Sequence, residues 1–250
     1  MRRFIKLSYD GSAFHGWQSQ PNATSVQQTI EESLSVMLRC PTAITGAGRT
    51  DTGVHARVMY AHFDYDGNLP DKEKFMRGLN KLCGPDIAVS DIIDVADNAH
   101  ARFDATSRTY KYFVALEKSP FLRGCSWTSP STLDVEAMNK AAELLTATDD
   151  FTSFAKLHSD AKTNICRVAE AIWQPWHNDY GVPGIVFTIK ADRFLRNMVR
   201  AVVGTLVDVG RGKITYDGFK CIIEKKDRCS AGTSMPPQAL FLWDITYPYI

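Results

Sequence analysis

The chain has 250 residues and 27.9 kDa, enough for one large domain or two packed ones with a real core. Its 44% hydrophobic and 23% charged content and net charge of +1 exclude a disordered polyelectrolyte, and no apolar run approaches the roughly 20 residues that span a bilayer. The six cysteines (Cys40, Cys83, Cys125, Cys166, Cys221, Cys229) lie far apart without a Cys-x-x-Cys, which argues against a disulfide framework and a structural zinc site. With no apolar signal core in "MRRFIKLSYDG", a cytoplasmic protein is expected.

Taken in chain order, "RFIKLSY" alternates, with Ile5, Leu7 and Tyr9 on one side, and predicts a strand. Residues 25–39 place Val26, Ile30, Leu34 and Met37/Leu38 at helical spacing; Thr24 or Ser25 can cap this helix and "CP" at 40–41 ends it. A short strand near 42–46 leads into "GAGRTDTGVHA" (46–56), and a further strand follows at about 57–65. Pro70 opens a helix reaching Leu82, and "DIAVSDIIDVAD" is a strand. The second half has a similar outline. "RTYKYFVAL" (108–116) is a strand and "DVEAMNKAAELLTAT" a helix with Val135, Met138, Ala142 and Leu145 on one face. "RVAEAIWQPW" and "GIVFTIKAD" are strands joined by "HNDYGVPG". "RFLRNMVRAVVGTLVDVG" is a helix whose apolar stripe is Leu195, Met198/Val199, Val202 and Leu206, ended by Gly210. "YDGFKCIIEKK" is a shorter helix and "ALFLWDITY" a closing strand. Two mixed units of split strand–helix–strand type predict an α+β chain, divided into 1–100 and 101–250 and joined near 98–107.

Charge is unevenly spread. Residues 1–97 hold 10 basic and 12 acidic groups, and residues 98–250 hold 19 and 16. Residues 190–213 alone carry 6 basic against 2 acidic, and 102–123 carry 5 against 2. Phosphate binding needs such a local cluster rather than an extreme total, although a solvated face is the blander reading of each run.

The glycine-rich loop at 46–56 holds three glycines, Arg49, Asp51 and His55. Gly48 and Gly53 have P-loop spacing, but Val54 and His55 stand where lysine and a hydroxyl are required. Gly46 and Gly48 lack the third glycine of a dinucleotide fingerprint. Asp51 and His55 are two potential metal ligands with no third, so no metal site is expected, and His55 reads as a hydrogen-bonded loop histidine. Residue chemistry leaves Asp51 open between a turn-forming aspartate and a reactive carboxylate.

Four ordered segments go further. "GAGRTDTGVHA" resembles the catalytic motif of the tRNA pseudouridine synthase A family. "YDGSAFHGWQSQP" (9–21) resembles its N-terminal signature, "ARFDATSRTYKY" (101–112) the segment bearing its active-site tyrosine, and "FLRNMVRAVVGTLVDVGRGK" (194–213) the helix bearing its active-site arginine. The likeness covers nearly the whole chain; Thr52 stands where the family more often has alanine. It implies ferredoxin-like halves sharing a largely antiparallel sheet with a central RNA-binding cleft, the pseudouridine synthase fold. It further implies isomerisation of uridine to pseudouridine at positions 38, 39 and 40 of the tRNA anticodon stem-loop, a homodimer, and no cofactor. Asp51 matches the catalytic aspartate, Tyr110 the active-site tyrosine, Arg200 the arginine that pairs with the acid, and Arg49 an arginine that holds the RNA.

The residue types suit that chemistry. An ionised carboxylate can attack the sugar carbon, support its positive charge, or remove a sugar proton, and a neighbouring guanidinium keeps it charged. Tyr110 can stack on the base and help take the proton from carbon 5, although "TYKYFV" also reads as a half-buried strand. Arg49, Arg102, Arg108, Lys111, Arg193, Arg196, Arg211 and Lys213 are the expected phosphate contacts while the uridine leaves its stack. Phe14 and Trp17, in a loop expected to be mobile, are read equally as core or as RNA-facing. The rivals are a synthase acting on another structured RNA, a glycosidase needing a second acid near Asp51, and a non-catalytic RNA-binding module.

Overall fold

The computed structural model describes residues 1–69, 71–157 and 162–250. The chain forms two compact units: Met1–Thr106 with Phe241–Ile250, and Ser107–Leu240. The first unit opens with β1 (Arg2–Tyr9), α1 (Val26–Leu38), β2 (Thr45–Gly46), β3 (His55–Asp64), α2 (Lys72–Leu82) and β4 (Ile87–Asp94). The second contains β5 (Ser107–Ala115), β6 (Trp127–Thr128), α3 (Val135–Ala142), α4 (Leu144–Ala147), β7 (Val168–Trp176), β8 (Gly184–Ala191), α5 (Met198–Gly210) and α6 (Tyr216–Lys225). The last strand, β9 (Leu240–Thr246), takes the chain back to the first unit. The fold is α+β, as the alternation of elements predicts.

In the first unit β1 runs antiparallel to both β3 and β4. β2 pairs with the far end of β3 (Thr45↔His62), and β9 runs parallel to its start (His55↔Phe241, Ala56↔Leu242). The expected alternation of β1 holds: Ile5, Leu7 and Tyr9 are buried, and the core continues through Ile30 and Leu34 of α1 and Phe75 and Leu79 of α2. Ser25 is the cap of α1, its side chain accepting from the Gln28 amide. α2 is capped by Asp71, which accepts from the Lys74 amide; Pro70, expected to open it, lies outside the described residues.

In the second unit β8 lies between β5 and β7, antiparallel to each. The helix expected over 134–148 is divided into α3 and α4 around Glu143. The helix expected from Arg193 starts later, at Met198, because Asn197 adopts a left-handed conformation (φ 64°) and donates from Nδ2 to Ser234 Oγ at 2.6 Å. From there α5 is buried on nearly every side, which its run of Val, Ala and Gly allows. No helix among the described residues is long and apolar enough to cross a membrane.

Candidate active site

The loop at 46–54 joins β2 to β3 and carries Arg49 exposed and Asp51 half-buried. Its shape follows from a tight turn directly after the acid. The Val54 amide donates to the Asp51 carbonyl at 3.1 Å, and Gly53 at the third turn position has φ 75°, a conformation that costs glycine little.

The segment after β1 locks this loop from below. A register shift between Leu7 and Tyr9 pairs Tyr9 with Ala56, and the hydroxyls of Tyr9 and Thr50 share a 2.8 Å hydrogen bond. The Trp17 amide donates to the Thr50 carbonyl at 3.2 Å. Gly16, at φ 88°, comes so close that an added Cβ would stand 2.5 Å from the Thr50 oxygen. The Gly11 amide donates to His55 Nδ1 at 3.0 Å, and the His55 ring stacks on Phe241 at 4.5 Å. His55 is thus hydrogen-bonded as expected, although it opens β3 rather than lying in the loop. Asp10 Oδ1 lies 3.1 Å from the same nitrogen. Burial pushes the Asp10 carboxyl upward, but hydrogen bonds from Ser12, together with the nearby His55 ring, outweigh it and hold the group below the usual carboxylate range.

This arrangement corrects one expectation. Of the 9–21 segment expected to be a mobile loop, residues 9–17 are held in place. Their amides are fixed to Thr24, Thr50 and His55, they contain a 3-10 turn at Gly11–Ala13, and Phe14 and Trp17 are 6% and 2% exposed. Both aromatics are core, and Trp17 lies against the acid-bearing loop at Gly46 and Thr50.

The second unit holds the other candidate residues. Tyr110 lies half-buried on β5 opposite Ile189, with its ring edge-on to Phe194 at 5.0 Å. Arg108 is two residues earlier and donates from a terminal nitrogen to the Asp192 carbonyl at 2.8 Å. Arg196 is exposed, and its carbonyl accepts from the Lys156 amide. Arg200 is in the first turn of α5, where its Nε donates to the Met235 carbonyl at 2.6 Å while its own carbonyl accepts from the Met235 amide at 3.1 Å. The Nε bond to the Met235 carbonyl sets the direction of this guanidinium, and the main-chain bond beside it holds the two residues together. Its charge is felt by Tyr112, whose hydroxyl donates to the Pro236 carbonyl; burial raises that phenol far above its ordinary range, and Arg200 offsets only part of the rise.

Segment 232–236 therefore holds Arg200 in place, and sequence reasoning missed it. "GTSMPP" reads as an ordinary turn-rich loop. Its amides and carbonyls engage α5 through Gly232 to Thr205 Oγ1 at 2.9 Å as well as through Met235. Among the other expected phosphate contacts, Arg211 and Lys213 lie 3.9 and 3.5 Å from Asp208, and Arg211 also covers the Trp127 ring. Cys40, Cys83, Cys166, Cys221 and Cys229 are free thiols. Among the described residues no group of three His, Cys, Asp or Glu side chains could hold a metal.

Comparisons with known proteins bear on this arrangement. A family model described as tRNA pseudouridine synthase matches residues 6–104 and 141–248. The protein named tRNA pseudouridine synthase A of Parabacteroides distasonis is 55% identical over 249 residues, 99% of this chain and 97% of its own. Its namesake from Bacteroides fragilis is 52% identical over 99% of this chain and 96% of its own. A more distant one, from Caldicellulosiruptor bescii, is 38% identical over 97% of this chain and 98% of its own. The chain belongs to the tRNA pseudouridine synthase family.

Proposed function

We propose that the protein converts uridine to pseudouridine at positions 38, 39 and 40 of the tRNA anticodon stem-loop, with Asp51 acting at the ribose of a uridine swung out of its helix. The reaction class follows from the family: the protein is a tRNA pseudouridine synthase, an isomerase. The bond from the ribose to the base nitrogen breaks, the base turns, and a bond to carbon 5 forms. Carbon 5 loses a proton and the released nitrogen gains one, so no oxidant and no net hydrolysis is involved. The carboxylate of Asp51 supplies the negative charge at the sugar, either as a nucleophile at the anomeric carbon or as the base of an elimination. Arg200 keeps that carboxylate ionised among RNA phosphates, and Tyr110 stacks on the base and assists loss of the carbon 5 proton. Arg49, Arg108 and Arg196 hold the flanking phosphates. The working form in this reading is a cytoplasmic homodimer that requires no metal or cofactor.

What carries the reading is the local construction around Asp51. A half-buried acid stands on a turn whose flanking residues are held on both sides, Thr50 by the Tyr9 hydroxyl and the Trp17 amide and His55 by the Gly11 amide, as a carboxylate held for a reaction should be. Mere turn formation would not call for that support. The test is Asp51→Asn on tRNA carrying 5-tritiated uridine. The variant should bind tRNA and release no tritium; turnover at the normal rate would remove Asp51 from the reaction. Appearance of free uracil would instead favour a glycosidase.

A further inference from the structure

Arg57 is unlike the other arginines of β1, β3 and α2. Arg2 pairs with Asp64 at 2.8 Å, Arg3 with Asp94 at 2.9 Å and Arg77 with Glu73 at 3.7 Å. Arg57 is exposed, and no carboxylate among the described residues pairs with it. Its guanidinium lies over the Trp243 ring at 4.8 Å from the centroid.

The placement comes from the strand register. His55 pairs with Phe241 and Ala56 with Leu242 in the parallel β3–β9 ladder, so the next same-face pair is Arg57 with Trp243. The His55–Phe241 stack and the Arg57–Trp243 stack are successive steps, about 7 Å apart at two residues of strand. The Asp51 turn closes at Val54, immediately before this ladder. Arg57 therefore lies on the order of 15 Å or less from Asp51 along the chain path. That is near enough for a phosphate one or two nucleotides from the ribose at Asp51. A guanidinium held over an indole gives up less freedom when it grips a phosphate with two of its donors.

We propose that Arg57, oriented by Trp243, is a positioning residue that binds a backbone phosphate of the tRNA next to the modified uridine. This rests on the synthase reading above and adds a specific RNA contact to it. Arg57 touches no reacting atom, so its contribution is to affinity, shared by ground and transition states.

The experiment measures tRNA affinity as a function of salt, together with saturated turnover, for the wild type, Arg57→Ala, Arg57→Lys and Trp243→Leu. Arg57→Ala should bind tRNA about five- to tenfold more weakly and lower the slope of log affinity against log salt by about 0.7–0.9, with kcat unchanged. Arg57→Lys should keep the slope and lose about two- to fivefold in affinity, because the charge remains while the planar grip is lost. Trp243→Leu should likewise keep the slope with a loss of a few fold. Unaltered affinity and slope in Arg57→Ala would overturn the proposal, as would a fall in kcat at unchanged affinity. A wild type that binds tRNA with a salt slope but releases no tritium would sink the synthase reading, and the binding data would still judge Arg57.

Discussion

Replacing Gly16 by alanine tests whether the segment after β1 sets the position of the catalytic candidate. The new Cβ would stand 2.5 Å from the Thr50 carbonyl oxygen, 3.2 Å from the Asp51 carbonyl carbon and 3.3 Å from the Thr52 nitrogen, all of them main-chain atoms. Reaching even a tight 3.0 Å separation requires the Thr50–Asp51 backbone to retreat by about 0.5 Å. Alanine at φ 88° adds roughly 1–2 kcal/mol of backbone strain. With the steric term, the stability loss should be about 2–4 kcal/mol. Catalytic groups tolerate displacements of only about 0.5 Å, and 1 Å can cost about 100-fold in rate. A drop in single-turnover tritium release on the order of tenfold is therefore expected, with tRNA binding retained. Thermal unfolding reports the first effect and tritium release from 5-tritiated tRNA the second. A variant that loses stability but reacts within twofold of the wild type would refute the claim that this segment positions Asp51.

Two other expectations concern charge. Burial, with the charges of Arg2 and His100 in support, pushes the His62 ring down to about 4 from an ordinary 6.5, and its Nδ1 accepts from the Ala101 amide at 3.1 Å. The fold thus favours the neutral ring; its stabilisation is complete above pH 6.5 and is lost as pH falls toward 4. Between pH 7 and pH 5 the loss from this group is about 2 kcal/mol. Urea unfolding at both pH values should show a smaller difference in His62→Gln, which keeps an acceptor but cannot titrate; an equal difference would place the dependence elsewhere. Arg200→Ala should remain folded, because its main-chain bond with Met235 survives, yet lose most of its activity. Unaltered rates would take Arg200 out of the reaction.

How much of this could be read beforehand depends on whether the signal was local. The period of Val26, Ile30 and Leu34 and the cap at Ser25 locate α1 because both are properties of adjacent residues. The start of α5 could not be placed, since only contact with Ser234 shows that Asn197 turns left-handed. Nor does "ALFLWDITY" contain anything to say that it pairs with the start of β3, 186 residues away. Asp51 was ambiguous as chemistry and became specific only through the resemblance of four ordered segments. The support beneath it was hidden for a different reason. Phe14 and Trp17 sit among glycines, serine and glutamine, a composition that reads as a flexible loop. The close approach of Gly46 to the Trp17 ring, and the burial of both aromatics, are visible only in three dimensions.

The most direct measurement is position-resolved mapping of pseudouridine in unmodified tRNA after incubation with the wild type and with Asp51→Asn. The account predicts pseudouridine at positions 38, 39 and 40 with the wild type and none with the variant. Modification confined to other positions, or the same pattern from both proteins, would contradict it.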